Sequence, residues 1–188
     1  NDLHQYHRAY MVLRNIQGDL LTVYSDIVES QNTYHERFSG FVGSGTSYIS
    51  ETFMGDSGFE FSVTQTRKNL DSYGIDTFGF ITRVPGIISA TMEGGIRWLS
   101  LDVMQAFTGS GTRTIEIYIN NVLYQTQSIT TAGVIYKIEI DDINMEGAFD
   151  LKIMAKGDNH SQITINNLRW GDYGSYVSTY FIEATSQF

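Results

Sequence analysis

The chain has 188 residues, a formal net charge of −9, 41% hydrophobic and 18% charged residues, and no cysteine. That length supports one domain with a core of its own, and the absence of cysteine excludes disulfide staples, thiolate metal sites and cysteine nucleophiles. The acidic balance argues against a nucleic-acid phosphate backbone as partner, and no run of apolar residues is long enough for a membrane-spanning helix, which leaves glycans, protein surfaces and divalent cations.

Near the start, Leu3, Tyr6, Tyr10, Leu13, Gln17, Leu20, Tyr24 and Ile27 recur at alternating steps of three and four. This heptad-like seam predicts an amphipathic N-terminal helix with Asp2 as its cap. The apolar members of the seam could serve homo-oligomeric self-association or pack on a neighbouring surface. A break at Gly18–Asp19 would instead make Leu20–Val28 a strand or a second helix. Residues 31–47 are polar and rich in turn formers, and read as a linker. Residues 1–46 are therefore expected to be a helical arm and linker, 47–173 a β module, and 174–188 a C-terminal tail.

From Tyr48 onward the pattern changes. Eighteen Gly, one Pro, 12 Tyr and 11 Phe suit many short strands joined by tight turns. Strands are expected at 48–53, 59–66, 79–82, 87–92, 97–106, 112–119, 122–129, 134–140, 148–155 and 162–170. Between them stand turn signals such as Gly55–Asp56–Ser57–Gly58, Gly94–Gly95 and Gly109–Ser110–Gly111. In the run RTIEIYI, Ile115, Ile117 and Ile119 point one way while Glu116 and Tyr118 point the other. Asn120–Asn121 follows as a hairpin turn, since Asn tolerates positive φ. With no helical pattern between these strands, antiparallel sheets are expected rather than βαβ units. The tail alternates Val177, Thr179 and Phe181 with Ser178, Tyr180 and Ile182, a strand-like pattern suited to a sheet edge in the same chain or a neighbour.

Residues 51–173 resemble the carbohydrate-binding-module-like domains appended to secreted bacterial nucleases, glycosidases and other extracellular proteins. The carrying segments are ETF at 51–53, GDSGFEFSVTQTR at 55–67, RWLSLDV after Gly94–Gly95, AFTGSGTRTIEIYINN at 106–121 and ITINNLRW at 163–170. The resemblance implies an antiparallel jelly-roll β-sandwich that binds or positions, has no activity of its own, and is extracellular. In the closing segment, Asn166 stands where the family commonly has Asp, a departure that bears on any cation ligand there.

Little in the sequence points to catalysis. No HExxH, GxSxG or GK[ST] motif is present, so no catalytic residue is assigned. His4 and His7 share a helix face but lack a third ligand. Asp56, Asp158 and Asp172 sit in turns where side-chain and backbone oxygens could hold Ca2+. For a sugar, Tyr73, Trp98, Tyr118, Tyr124 and Tyr136 are candidate platforms, and Arg67 and Arg113 candidate planar donors. Asn159–His160–Ser161 is a glycosylation sequon. The leading expectation is a non-catalytic extracellular module binding a glycan or a protein surface. Two alternatives stand beside it. One is a structural or adhesive virion subunit assembling through its terminal arms. The other is an accessory domain of a secreted nuclease.

Overall fold

The computed structural model describes residues 8–14, 20–30, 32–68, 80–173 and 175–184. Its strands, in chain order, are β1 (Arg8–Arg14), β2 (Leu20–Ser30), β3 (Thr33–Glu36), β4 (Ile49–Met54), β5 (Glu60–Lys68), β6 (Phe80–Arg83) and β7 (Ile87–Met92). They continue with β8 (Trp98–Gln105), β9 (Arg113–Ile119), β10 (Val122–Ser128), β11 (Ile135–Ile140), β12 (Phe149–Gly157), β13 (Gln162–Gly171) and β14 (Ser175–Ala184). The described residues contain no helix, and all the strand-to-strand pairings are antiparallel. The chain divides into two compact units, Asn1–Gln31 with Gly174–Phe188, and Asn32–Tyr173.

The first unit corrects the helical expectation. Here β1, β2 and β14 form a three-stranded sheet in the order β1-β2-β14. Arg14 stands opposite Leu20 and Tyr10 opposite Tyr24, while Tyr24 also faces Phe181 of β14. Of the seam, Leu3, Tyr6 and Gln17 lie outside the described residues, and Tyr10, Leu13, Leu20, Tyr24 and Ile27 occupy strands. Side chains alternate in a strand with period two, so a seam spaced by three and four has no continuous face there. The segments RAYMVLR and LLTVYSDIVES also hold the Val, Ile, Thr and Tyr that favour extended backbone over helix. The tail's alternation is realised within the same chain, because β14 pairs β2 from Ser175↔Ser30 to Ala184↔Leu21.

The second unit is a sandwich-like arrangement around one core. The path runs β10-β9-β12-β7-β5-β6-β13-β8-β11, with β4 added on β5 and β3 on β13. β5 serves two neighbourhoods: Ser62 and Val63 pair with β7, while Thr66–Lys68 pair with β6. The inward set is the one alternation predicts. Ile115, Ile117 and Ile119 of β9 are buried with Leu151 and Ile153 of β12, and Leu99, Leu101 and Val103 of β8 share that core with Ile163, Ile165 and Trp170 of β13. Each such aliphatic side chain contributes roughly 1.5–3 kcal/mol on burial. At the β9–β10 turn, Asn120 and Asn121 adopt φ of 49° and 63°, the positive pair a two-residue hairpin needs.

The expected linker is a second correction. Thr33–Glu36 pairs with β13, from Glu36↔Leu168 to Thr33↔Gly171, and Phe38 and Phe41 are buried in the core. Phe38, Phe53 and Phe61 pack as an aromatic cluster, with Phe38 edge-on to Phe61 at 5.5 Å. Tyr34 stacks on Trp170 at 4.9 Å. Glu36 is fully buried. Its carboxylate accepts the Phe38 N–H at 2.5 Å, the Ser57 N–H at 3.1 Å and the Ser57 hydroxyl at 2.8 Å. This bolts β3 to the turn after β4. Gly55 is required there, because a Cβ would collide with the Glu36 carboxylate.

Candidate functional site

The strand register builds one continuous row of outward side chains from distant parts of the chain. Thr52 of β4 pairs with Ser62 of β5, Ser62 with Ser89 of β7, and Ser89 with Lys152 of β12. Lys152 pairs in turn with Tyr118 of β9, and Tyr118 with Leu123 of β10. In the adjoining row, the Thr91 hydroxyl donates to Asp150 Oδ1 at 2.7 Å across β7 and β12. The serines and the threonine are short, while Glu60 and Lys152 are long, so the middle of this face is a depression. It forms a groove of about 370 Å3, lined by Glu60, Ser62, Ser89, Thr91, Asp150 and Lys152, with Asn121 of the hairpin turn at its margin.

Lys152 and Tyr118 are held as a unit. The ammonium donates to Asn121 Oδ1 at 3.1 Å and lies 4.5 Å from the centroid of the Tyr118 ring, within cation–π range. The Tyr118 hydroxyl donates to Glu116 Oε2 at 2.6 Å, and Lys156 stands 3.7 Å from the same carboxylate oxygen. The hydrogen bond to Glu116, with partial burial and the nearby negative charge, holds the Tyr118 phenol above its ordinary range. The hydroxyl therefore stays protonated and directed at Glu116. At the groove's end, Asn120 Oδ1 accepts the Asp150 N–H at 2.8 Å, which fixes the turn against β12.

The other expected site residues are dispersed. Tyr73 lies outside the described residues. Trp98 is half-buried at the start of β8, and its indole fills the space where Gly171 carries no Cβ. Tyr124 packs against the core from β10. The Arg67 guanidinium lies over Tyr48 at 5.3 Å and Phe107 at 5.1 Å, and Arg83 lies over the same Tyr48 ring at 4.4 Å. Arg113 is buried; its Nε donates to the Gln162 carbonyl at 3.1 Å and its Nη1 to the Gly111 carbonyl. Burial pushes the Arg113 guanidinium below its ordinary value, opposed by the charge of Asp158. Tyr136 accepts the Thr130 and Thr131 N–H groups at 3.3 and 3.1 Å; the Thr130 and Thr131 side chains, and to a lesser degree these N–H donors, bring its phenol down to about 8.

The three aspartates serve as acceptors for their own turns. Asp56 takes the Arg37 and Ser39 N–H groups at 3.0 and 3.2 Å, and the Ser39 hydroxyl. Asp158 takes the Thr112 N–H at 2.8 Å. Asp172 takes the Asn32 N–H at 2.9 Å and its side-chain amide at 2.8 Å. They stand in three separate places, and no group of three His, Cys, Asp or Glu among the described residues is placed to hold a metal ion. Asn166 is buried, and its Oδ1 accepts the Asn167 N–H at 2.7 Å within a β13 bulge.

The groove residues Ser62, Ser89, Thr91, Asp150 and Lys152 are absent from the sequence-based candidates. Alternation marks each of them as outward, but only strand order brings β5, β7, β12 and β9 side by side.

Comparison with known proteins gives structural likeness only. No family model matches the chain, and no curated protein matches it. The similar solved structures include carbohydrate-binding modules. A family 27 module that recognises mannan is 15% identical, with 76% of this chain and 98% of that chain aligned and a TM-score of 0.46. A family 36 module solved with calcium and xylotriose is 12% identical over 58% of this chain and 89% of its own, with a TM-score of 0.42. A family two carbohydrate esterase from Cellvibrio japonicus is 15% identical over 80% of this chain, with a TM-score of 0.40. This chain spans 36% of that esterase's length.

Proposed function

We propose that residues 32–173 form a non-catalytic jelly-roll module of an extracellular protein that binds a neutral glycan in the groove on the outer face of β5, β7, β12 and β9. The observation that carries this reading is the composition of the groove. Sugar hydroxyls donate and accept in equal measure, and the groove offers both functions. Asp150 and Glu60 accept, Lys152 and the Asn121 amide donate, and Ser62, Ser89 and Thr91 do either. The Tyr118 ring beside Lys152 supplies the apolar surface that a sugar's C–H face needs. Its volume lies in the range of small-ligand sites. The two carboxylates disfavour an anionic sugar at this face. Neither His35 nor His160 lines the groove: His35 pairs with Asn167 at 3.2 Å and His160 sits in an exposed turn. No described histidine therefore stands in the groove as a base for its hydroxyls.

The test is an array of neutral oligosaccharides, followed by calorimetry on the best binder with wild type and Tyr118→Ala. Loss of the aromatic surface is expected to weaken binding about fivefold to tenfold, the equivalent of about 1–1.4 kcal/mol. An affinity identical in the two proteins would refute the assignment of the site.

A further inference from the structure

A second depression lies at the end of the sandwich, and its chemistry differs from that of the sheet face. It has a volume of about 540 Å3 and is walled by the 106–112 loop, the start of β9 and the segment after β10, with Thr108, Gly109, Ser110, Gly111, Arg113 and Thr130 among its lining residues. The sheet-face groove is lined by two carboxylates. This cleft is lined by none, and its only charged lining group is the guanidinium of Arg113.

Arg113 is 4% exposed, so its placement costs desolvation and is held by specific partners. Two of its three nitrogens are engaged with backbone carbonyls, Nε with Gln162 and Nη1 with Gly111. The third, Nη2, stands 3.4 Å from where a Cβ on Gly109 would lie, in the cleft wall. It has no hydrogen-bond partner within the described protein, and it is not sealed from solvent as the orphaned Arg67 Nε is. Asp158 influences the guanidinium through its charge, but no direct ion pair joins them; its Oδ2 is occupied by the Thr112 N–H.

The loop adds donors to this positive centre. Gln105 donates its side-chain amide to the Phe107 carbonyl and, at 3.0 Å, to the Gly109 carbonyl. With Arg113 holding the Gly111 carbonyl, the loop's acceptors are tied back toward the protein. The N–H groups of Thr108, Gly109, Ser110 and Gly111 make no hydrogen bond to the described protein. Hydroxyls of Thr108, Ser110, Thr114, Ser128 and Thr130 complete the wall. The arrangement is donor-rich around a fixed cation, the arrangement that recognises an oxyanion.

We propose that this end cleft is a second ligand site, specific for a carboxylate-bearing sugar, with the uronate carboxylate on Arg113 Nη2 and the loop N–H groups and the pyranose hydroxyls on the Ser and Thr side chains. A carboxylate is favoured over a denser anion because the site presents one guanidinium edge in a chain of net charge −9. A multiply charged ligand would meet long-range repulsion from the rest of the surface.

The experiment is an amide and arginine side-chain NMR titration of the full chain at pH 7.5 with methyl glucuronide, methyl glucoside and methyl glucoside 6-phosphate. The expected result is saturable shifts at Gly109, Ser110, Gly111 and the Arg113 side chain with the glucuronide, and none there with the glucoside. Ser110→Asp, an exposed substitution that places a like charge at the cleft mouth, should weaken the glucuronide about tenfold or more. The proposal is overturned if the glucuronide leaves these signals unmoved, if the glucoside or the doubly charged phosphate ester moves them equally, or if Ser110→Asp binds the glucuronide as wild type does. Shifts at Ser89, Tyr118 and Lys152 with the glucoside report on the sheet-face groove separately, so either site can fail alone.

Discussion

Replacing Glu36 probes how β3 is held, with an outcome that can be worked from its contacts. The carboxylate is fully buried and takes three donors, the Phe38 N–H on one oxygen and the Ser57 N–H and hydroxyl on the other. Glu36→Ala strands two backbone N–H groups and one hydroxyl. A buried group left without its partner costs about 1–3 kcal/mol; the Ser57 hydroxyl can rotate away, so the two N–H groups together cost about 2–6 kcal/mol. Glu36→Gln keeps one acceptor oxygen and turns an NH2 toward the other donor set, at a cost of about 1–2 kcal/mol at neutral pH. Urea unfolding at constant m is the assay. With m near 2 kcal/mol/M, the alanine variant should lose roughly 1–3 M in midpoint. The pH dependence supplies an independent check. Burial outweighs the hydrogen bonds and raises the Glu36 pKa above its ordinary 4.5. A raised pKa gives stability that is fully present below 4.5 and is lost as pH rises through the folded value. The advantage of wild type over Glu36→Gln is therefore largest at the acid end of that window and shrinks toward neutrality. An alanine variant within about 1 kcal/mol of wild type, or parallel pH profiles for wild type and the glutamine variant, would refute this account.

Other outcomes follow from equally local geometry. The Tyr136 phenol should titrate near 8 in a phenolate absorbance scan. Since its folded pKa lies below its ordinary 10.0, stability should rise with pH across that interval and fall again on acidification, and Tyr136→Phe should remove this component. Ile153→Ala, at a fully buried position in the middle of β12, should cost about 2–5 kcal/mol in chemical denaturation. Asn121→Val places a β-branched residue at φ 63° in the β9–β10 turn; it should lower the melting temperature and, by shifting the turn, weaken glycan binding at the adjoining groove.

The strands from β4 to β13 were legible because each is a short alternating run between turn residues, and their register leaves the Ile115, Ile117 and Ile119 face inward as alternation requires. Two segments were not. β3 is only TYHE within a stretch of Ser, Asn and Gly, and its membership of the sheet depends on pairing with β13, well over 100 residues away in sequence. β1 and β2 carry apolar residues at helical spacing by coincidence with a strand-favouring composition, and the decisive partner, β14, lies at the other end of the chain. The site was legible in part. Tyr118 could be placed outward from its own strand, and Arg113 could be flagged as a planar donor. The groove could not be seen, because Ser62, Ser89 and Lys152 become neighbours only through the β5-β7-β12 order. Outward-facing serines carry no local signal of that proximity.

Filling the groove is the sharpest test of the proposal that the sheet face between β5 and β9 binds a neutral glycan. Ser89 is half-buried at the groove floor with its side chain directed outward, so Ser89→Trp occupies the depression without entering the core. Calorimetric titration of wild type and Ser89→Trp with the best neutral oligosaccharide from the array decides the matter, with thermal unfolding confirming that both are folded. Loss of all measurable binding in the folded variant is the predicted result. Undiminished binding with the groove filled would contradict the account.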